Sequence, residues 1–264
     1  MHNEKTLNMA TSAPSTETGS FPMGTRELVA MMAALMALNA LAIDSILPAF
    51  PALGAAFDVA SANDRQFVIS SYLMGMGIGS LFYGPIGDQV GRKPVLLGSL
   101  VFYVIFGGAC AFAPDFQTLL LLRFAQGFAA AAMGVLVVSV IRDIFSGDRM
   151  ASFMSIIFIV FMAVPVLAPT VGQLILYFAQ WQFIFILLSV MGTAVGVWVW
   201  LRLPETLRPE NVIPIRLDTI GSTWFQVIFN RQGFGYVAGA GLLVGLIVPY
   251  LPRPRRSRRE RWMN

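Results

Sequence analysis

The stretch Gly84-Pro-Ile-Gly-Asp88-Gln-Val-Gly91-Arg92-Lys93 joins two apolar runs, at about residues 67–87 and 94–113. Its glycines suit a tight turn between two helices, because glycine adopts positive φ and leaves room where a side chain would clash. Asp88 and Arg92 flank the turn, so their side chains can pair across it or bind the helix ends. A loop that only carries positive charge to one membrane face needs basic residues but not this spacing. The stretch therefore indicates a specialised turn in a helical protein.

The apolar character extends over most of the chain and points to a membrane protein. Of 264 residues, 56% are hydrophobic and 12% are charged, whereas a soluble domain carries about 25% charged residues. Runs long enough to cross a bilayer as helices lie at about 28–50, 67–87, 94–113, 117–141, 152–178 and 181–203, with a polar break at residues 180–182. Each run must be helical, because in lipid the backbone polar groups need partners within their own segment. The sequence predicts an all-α membrane protein with a bundle of six transmembrane helices.

The composition divides the chain into five segments. Residues 1–25 are polar and are predicted to form a disordered cytoplasmic tail, 26–203 hold the six spans, and 204–233 form a central cytoplasmic loop. Residues 234–251 begin a partial seventh helix. The segment 252–264 holds six arginines and one glutamate and accounts for the net charge of +4, so the rest of the chain does not indicate nucleic-acid binding. A crossing seventh helix would place this basic tail outside, against the positive-inside trend. Two interpretations follow: the run does not cross, or the tail is not native to this architecture, as a tail translated out of frame would be.

The basic residues between the runs predict the orientation of the bundle, because lysine and arginine gather in cytoplasmic loops. One side of the predicted bundle carries Lys5, Arg26, Arg92, Lys93, Arg142, Arg149, Arg202, Arg208, Arg216 and Arg231, whereas Arg65 lies on the other. The N-terminus and the loops at 88–93 and 142–151 are therefore predicted to be cytoplasmic. The chain is predicted to be a multi-pass protein of the cell inner membrane.

The pattern G-x-x-x-D-x-x-G-R-K at residues 84–93 resembles the signature loop of the major facilitator superfamily, which also lies between helices 2 and 3. The resemblance implies two six-helix bundles related by pseudo-symmetry, with the substrate site between them. It extends from residue 28 to about 248 and implies the N-terminal half of that architecture. The conformational gate that it implies consists of Gly84, Asp88, Gly91, Arg92 and Lys93.

Arg123 lies in the outer part of the fourth run, in the sequence Arg123-Phe-Ala-Gln126-Gly127. An arginine inside a span costs about 2.5–3.5 kcal/mol on insertion scales, so it usually faces a cavity or a partner. Alternatively, its long side chain could reach the headgroups at the membrane surface. The R-x-x-Q-G spacing resembles the fourth-helix motif of the family, which implies a role for Arg123 in proton coupling.

Asp44 lies toward the outer end of the first run, at a depth similar to that of Arg123. The two side chains could form a buried ion pair, which protonation of the carboxylate would break. The alternative is an aspartate that ends the helix and is exposed in an outer vestibule.

The fifth run contains Pro165 and Pro169 in one helix, followed by Gly172. Proline removes backbone hydrogen bonds and kinks a helix, and glycine allows close helix contact. This stretch resembles the fifth-helix motif of family antiporters, except that Gln173 stands where a second glycine is usual. Together with Arg142-Asp143, it narrows the resemblance to the Bcr/CflA-type drug-resistance transporters. That resemblance implies that Asp143 joins the gate, whereas the alternative is an ordinary solvated pair at a helix end.

The remaining polar residues of the spans are few. Asn39, Tyr72 and Gln126 are predicted to line an apolar and aromatic cavity that the fifth-helix prolines shape. The small-residue spacing of Gly75, Gly79, Gly84, Gly127 and Ala131 is predicted to serve helix packing.

The resemblance implies a proton-coupled antiporter that exports drugs or other small amphipathic molecules, present here as a half that needs its C-terminal half or a second copy. No cofactor is expected beyond the proton gradient, and Cys110 and His2, the only residues of their types, cannot build a Cys/His metal site. No constellation of catalytic residues is found, so an enzyme is not expected. Two alternatives remain: an inactive truncated fragment, and a half-carrier that forms a homodimer.

Overall fold

The computed structural model describes residues 23–211, which form an all-helical bundle. Its helices are α1 (Thr25–Asp44), α2 (Phe50–Ala56), α3 (Ala62–Arg65), α4 (Phe67–Val90), α5 (Arg92–Cys110), α6 (Phe116–Ile144), α7 (Gly147–Phe178) and α8 (Gln182–Arg202). Short 3₁₀ turns lie at Leu47–Ala49 and Pro209–Asn211. In this part of the chain, six segments are long and apolar enough to cross a membrane. The first segment combines α1 and α2, the second runs from Asn63 in α3 to the end of α4, and the other four correspond to α5 to α8.

These segments confirm the six predicted runs, with differences at their ends. The fourth span extends to Phe116–Ile144, and the fifth begins earlier than predicted, at Gly147. The predicted polar break is present, since α7 ends at Phe178 and α8 begins at Gln182. Nearly all of the predicted N-terminal tail, most of the central loop, the partial seventh helix and the basic tail lie outside the described residues.

The first span is interrupted, which the continuous apolar run at 28–50 did not predict. α1 ends at Asp44, and the chain passes through a 3₁₀ turn before α2 begins at Phe50. Pro48 lacks the N–H that would bond the Asp44 carbonyl in a continued helix, and the Ser45 hydroxyl donates to the Leu41 carbonyl at 2.6 Å. The break leaves the last carbonyls of α1 available to other donors.

Glycines allow α4 and α6 to approach each other closely. A side chain on Gly75 would overlap the backbone oxygen of Phe124, and one on Gly127 would overlap that of Tyr72. Helices in membranes associate through small residues, because close packing replaces the hydrophobic effect that operates in water. At these two positions the predicted packing role of the glycines agrees with the structure.

The helices differ in how much of their surface the bundle buries. α6 contacts α1, α4, α5 and α7 and is the most buried span. α7 is the least buried, with Ile157, Ala168 and Gly172 as its buried residues. Both predicted prolines lie inside α7, which remains one helix from Gly147 to Phe178.

The two ends of the bundle are marked by different contacts. At the first, called the Arg92 end, Glu27 of α1 pairs with Arg202 of α8 at 2.7 Å. At the second, called the Trp181 end, the ring of Phe57 lies 5.5 Å from that of Trp181 and 6.2 Å from that of Phe116. An ion pair between α1 and α8 therefore marks the Arg92 end, and a cluster of aromatic rings marks the Trp181 end.

Candidate proton-coupling and gating sites

Arg123 is fully buried in the bundle, and its guanidinium joins three helices. Nη2 donates to the Ala42 carbonyl of α1 at 2.9 Å, and Nε donates to the Val68 carbonyl of α4 at 3.3 Å. Nη1 donates to Oε1 of Gln126, one turn along α6, at 2.9 Å. The guanidinium carbon lies 4.3 Å from the centre of the Tyr72 ring, which adds a favourable cation–π contact.

Dipoles rather than a carboxylate stabilise this buried charge. Among the described residues, no aspartate or glutamate forms an ion pair with Arg123 within 4.0 Å. The Ala42 carbonyl belongs to the last turn of α1, where the partial negative charge of a helix C-terminus favours a cation. Because its side chain is 0% exposed, Arg123 does not extend to the headgroups. It caps α1 at the break in the first span.

Of the two alternatives for Asp44, the direct ion pair with Arg123 is not formed in this structure. The carbonyls that the break leaves free accept the hydrogen bonds of the guanidinium instead. Asp44 is the last residue of α1, is partly buried, and lies two positions past Ala42. The two side chains therefore act on the same end of the same helix without an ion pair between them.

The three side chains predicted to line a cavity are buried within the described bundle. Asn39 is 5% exposed, and Tyr72 and Gln126 are 0% exposed. The Tyr72 hydroxyl donates to Oδ1 of Asn39 at 2.9 Å, and Nδ2 of Asn39 donates to the Ala130 carbonyl at 3.2 Å. Polar groups in spans turn inward because lipid offers them no hydrogen bonds. These residues hold α1, α4 and α6 together around Arg123.

A second cluster surrounds Arg92 and joins α4, α5 and α6. Its guanidinium contacts Oδ1 of Asp88 at 2.5 Å and Oδ2 of Asp143 at 3.0 Å. The Arg92 side chain is 3% exposed, whereas those of Asp88 and Asp143 are 32% and 17% exposed. The structure thus brings together the three predicted charged groups, and Asp143 pairs with Arg92 rather than with its neighbour Arg142.

Glu205 completes this cluster, although the sequence pattern did not single it out. Its carboxylate accepts the backbone N–H groups of Arg92 at 2.9 Å and Lys93 at 3.1 Å, at the start of α5. It also accepts those of Thr206 and Leu207, both at 2.9 Å. An anion at a helix N-terminus satisfies free N–H groups and is favoured by the helix dipole. Because these partners are all main-chain groups, the only sequence signal is an acidic residue just after the sixth span.

The glycines of the signature turn differ in their importance to this conformation. Gly91 has a φ of 111°, and a side chain there would meet Oε2 of Glu205 at 2.6 Å. Gly87, which was not among the predicted gate residues, leaves room for Leu136 of α6 and for Nη1 of Arg92. A side chain on Gly84 would make only an ordinary contact, at 3.9 Å from Val135. The turn therefore requires Gly91 here, and it does not require Gly84.

The fifth-helix motif meets the break in the first span. A side chain on Gly172 would overlap the Ser45 backbone oxygen and would lie 3.3 Å from Pro48. Pro165 and Pro169 lie on the two preceding turns of α7 and are partly buried. Gly172 thus brings α7 against the residue that follows Asp44.

Comparison with known proteins finds relatives along most of the chain. The family model of the Major Facilitator Superfamily matches residues 32–258. A bicyclomycin resistance protein homolog of Haemophilus influenzae is 34% identical over 203 residues, which cover 77% of this chain and 51% of the relative. The multidrug resistance protein MdtL of Salmonella dublin is 33% identical over 218 residues, which cover 83% of this chain and 54% of the relative. The chain spans about half the length of the curated relatives that it matches.

Solved structures share the fold at lower identity. A D-xylose-proton symporter aligns with a TM-score of 0.62 at 17% identity, covering 83% of this chain and 56% of the symporter. The human organic anion transporter MFSD10 aligns with a TM-score of 0.57 at 20% identity, covering 72% of this chain and 50% of the transporter. The matched family and these structures are transporters, which confirms the prediction that the chain is not an enzyme.

Proposed function

Because the chain belongs to the major facilitator superfamily, we propose that it forms half of a proton-coupled antiporter that exports drugs or other small amphipathic molecules across the inner membrane. The names of the relatives, which refer to multidrug and bicyclomycin resistance, support this substrate class. The substrate would bind between this bundle and a second one. We further propose that the Arg92 end faces the cytoplasm, in line with the positive-inside trend.

The contact of Arg123 with the end of α1 carries the proposed coupling step. Ionised Asp44 adds negative charge to a helix end that already attracts the guanidinium. Protonation of Asp44 removes that charge and weakens the hold of the helix end on Arg123. Inside a bundle such a change is screened far less than in water. Proton binding would therefore shift the balance between two arrangements of α1 and α6.

The same helix end offers a route from the proton to the rest of the bundle. Ser45 follows Asp44 and packs against Gly172 of α7 without space for a side chain. A change in the turn after α1 must therefore move α7 or the segment that contains Pro48. Since close packing makes such contacts bistable rather than gradually deformable, the proton can select between two positions of α7.

The Arg92 cluster is assigned the role of a conformational gate. It ties the ends of α4, α5 and α6 to Glu205, which follows α8. Removing a buried guanidinium from its carboxylates costs a few kcal/mol, because the charge is left without a partner. The cluster would therefore hold one conformation until substrate or proton binding offsets that cost.

A chimera tests the proposed transport. It joins residues 1–211 of this chain to the part of MdtL that follows the position aligned with residue 211, and everted membrane vesicles report ethidium uptake under an imposed pH gradient. We expect uptake that a protonophore abolishes. Asp44→Asn should remove the pH-driven part, because an amide cannot take up the proton. Asp58→Asn is the matched control, since Asp58 is an exposed aspartate near the same end.

The other outcomes distinguish the alternatives. Uptake that ignores the pH gradient would reject proton coupling and leave only facilitated transport. Uptake by the 264-residue chain alone, with crosslinked pairs in the membrane, would favour the homodimeric half-carrier. Absence of uptake from both the chimera and the chain would favour the inactive fragment.

A further inference from the structure

We propose that Gly107 of α5 is a positioning residue for Arg123 and that it acts through Gln126. The proposal rests on the proposed coupling role of Arg123. Gly107 lies on α5, and among the described contacts the guanidinium donates no hydrogen bond to that helix. Gly107 is connected to Arg123 in two steps. The absence of a side chain at Gly107 leaves room for the Gln126 amide, and that amide accepts a hydrogen bond from Arg123.

The amide group of Gln126 lies directly against the backbone of Gly107. A Cβ atom at this position would lie 2.6 Å from Nε2 of Gln126 and 3.0 Å from Oγ of Ser189. Any side chain at position 107 must therefore displace the amide. The same amide supplies Oε1, the acceptor of the Arg123 Nη1 hydrogen bond at 2.9 Å. Displacing the amide therefore displaces a partner of the buried guanidinium.

Among the described residues, no second hydrogen bond holds this amide in its orientation. Nε2 of Gln126 is buried and makes no hydrogen bond in the described structure. If the amide turned over, Nε2 would face Nη1 of Arg123, and two donors would oppose each other. The orientation with Oε1 toward Arg123 is thus fixed by the guanidinium on one side and by the missing side chain of Gly107 on the other.

Gly107 differs from the packing glycines in what a side chain would meet. At Gly75 and Gly127 the obstacle is the backbone of the neighbouring helix, so a substitution there must separate the helices. At Gly107 the obstacles are the far ends of two side chains, which can move while the helices stay in place. A substitution at Gly107 should therefore leave the fold intact and change how Arg123 is held.

The groups around Arg123 define what a pH profile would report. Tyr72 lies on α4, Tyr103 and Cys110 lie on α5, and all three interact electrostatically with the guanidinium. α8 contributes the ring of Phe185, 5.7 Å away, and α1 contributes Ala42, with Asp44 beyond it. Tyrosine and cysteine ordinarily titrate above about pH 8, whereas aspartate titrates near about pH 4. If the pH profile of transport shifts on the acid side of neutrality, the group that titrates is therefore Asp44, whose charge acts on Arg123.

The first test observes Arg123 directly in the full 264-residue chain, held in lipid nanodiscs. The ¹⁵N-labelled Nη1–H signal of Arg123, the group that donates to Gln126, is assigned by its loss in Arg123→Lys. We expect Gly107→Ala to shift this signal and to speed its exchange with water by about tenfold, which corresponds to the loss of about one hydrogen bond. Gly108→Ala is the matched control, because a Cβ there would make only an ordinary contact, at 3.6 Å from Ser189.

A double-mutant comparison separates positioning from a general structural effect. If Gly107 acts through Gln126, Gly107→Ala should have no further effect on the Arg123 signal in a Gln126→Ala background. An effect of equal size in that background overturns the proposal. So does an unchanged Arg123 signal in Gly107→Ala, or a loss of helical signal and monodispersity in that variant, since the displacement should not disturb the fold.

The transport chimera supplies an independent readout. Gly107→Ala should move the midpoint of its pH profile by half a unit or more while Gly108→Ala leaves it in place. If the unsubstituted chimera transports without proton coupling, the proposed function fails, and the Arg123 signal still decides whether Gly107 positions the guanidinium.

Discussion

The guanidinium of Arg123 holds the centre of the bundle, because its fork of donors serves three acceptors at once. Lysine keeps the charge but offers a single ammonium, which cannot reach Ala42, Val68 and Gln126 together. We expect Arg123→Lys to lower the free energy of unfolding by about 2 kcal/mol or more, the contribution of one hydrogen bond to a charged group. Titration with sodium dodecyl sulfate in mixed micelles, followed by circular dichroism, measures this loss.

The control for this prediction is Arg149→Lys, at an exposed arginine in the first turn of α7. It should leave the free energy of unfolding unchanged, because an exposed basic side chain loses little on exchange for another. Equal losses in the two variants would show that the hydrogen bonds of Arg123 add nothing beyond its charge.

The position of Arg123 could be predicted from the sequence, whereas its partners could not. A charged residue in an apolar run is easily identified in the sequence, and the cost of burying it predicts that it has a partner. Its acceptors are mostly backbone carbonyls. Because every residue has a backbone carbonyl, the residue types in the sequence do not show which ones accept these hydrogen bonds. The role of Glu205 could not be predicted for the same reason, because its carboxylate binds main-chain N–H groups. Asp88, Arg92 and Asp143 could be predicted because charged side chains pair with one another.

Among the elements, the start of α5 depends on a residue more than a hundred positions away. Glu205→Gln would replace one acceptor oxygen with an NH₂ group that faces backbone donors, so the N–H groups of Arg92 and Lys93 could not both be satisfied. We expect faster hydrogen–deuterium exchange in a peptide that starts several residues before Arg92 and includes Lys93, and in one that contains Thr206 as an internal residue. Mass spectrometry of the chain in nanodiscs measures both. Glu210→Gln, at an exposed glutamate, should change neither, and protection retained in Glu205→Gln would contradict the capping role.

The start of α6 depends on pH through Asp115, which accepts the N–H and the hydroxyl of Thr118, both at 2.8 Å. These bonds lower the pKa of Asp115 below its usual value. The contribution of the carboxylate is therefore complete above about pH 4, the usual aspartate value, and is lost as the pH falls through the lower pKa of the folded state. The rate of hydrogen exchange at the Thr118 backbone N–H, corrected for its intrinsic pH dependence, should be constant above that pH and should rise below it.

The comparison for Asp115 is Asp115→Asn. Asparagine keeps an acceptor for the N–H of Thr118 but does not titrate, so its exchange should show no rise in acid. A rise of equal size in the variant would assign the pH dependence to another group.

The number and positions of the spans could be predicted because length and apolarity alone decide which segments cross a bilayer. The break in the first span could not be predicted in the same way, because a proline inside an apolar run can kink a helix without interrupting it, as Pro165 and Pro169 of the uninterrupted α7 show. The break depends on Pro48, which removes one donor, and on donors from α6 that a single segment does not reveal. Close contacts such as that of Gly172 with Ser45 likewise depend on the relative placement of helices.

In the whole molecule, the two charged clusters lie in different parts of the group of packed helices α1, α4, α5 and α6. The Arg123 cluster binds the carbonyl end of α1, and the Arg92 cluster binds the amide end of α5, so both use helix dipoles to hold a charge. α4 and α6 carry residues of both clusters and are held in close contact by Gly75 and Gly127. We therefore expect a displacement at one cluster to be transmitted along this pair of helices to the other.

The orientation of the bundle provides the last prediction. Single cysteines are placed by Ala60→Cys near the Trp181 end and by Ser146→Cys near the Arg92 end, both at exposed positions, in a Cys110→Ala background. If the Arg92 end is cytoplasmic, a maleimide that cannot cross membranes should label Ala60→Cys in spheroplasts and Ser146→Cys only in everted vesicles. The opposite pattern would reverse the assignment, and the proton proposed to act at Asp44 would then have to enter from the cytoplasm.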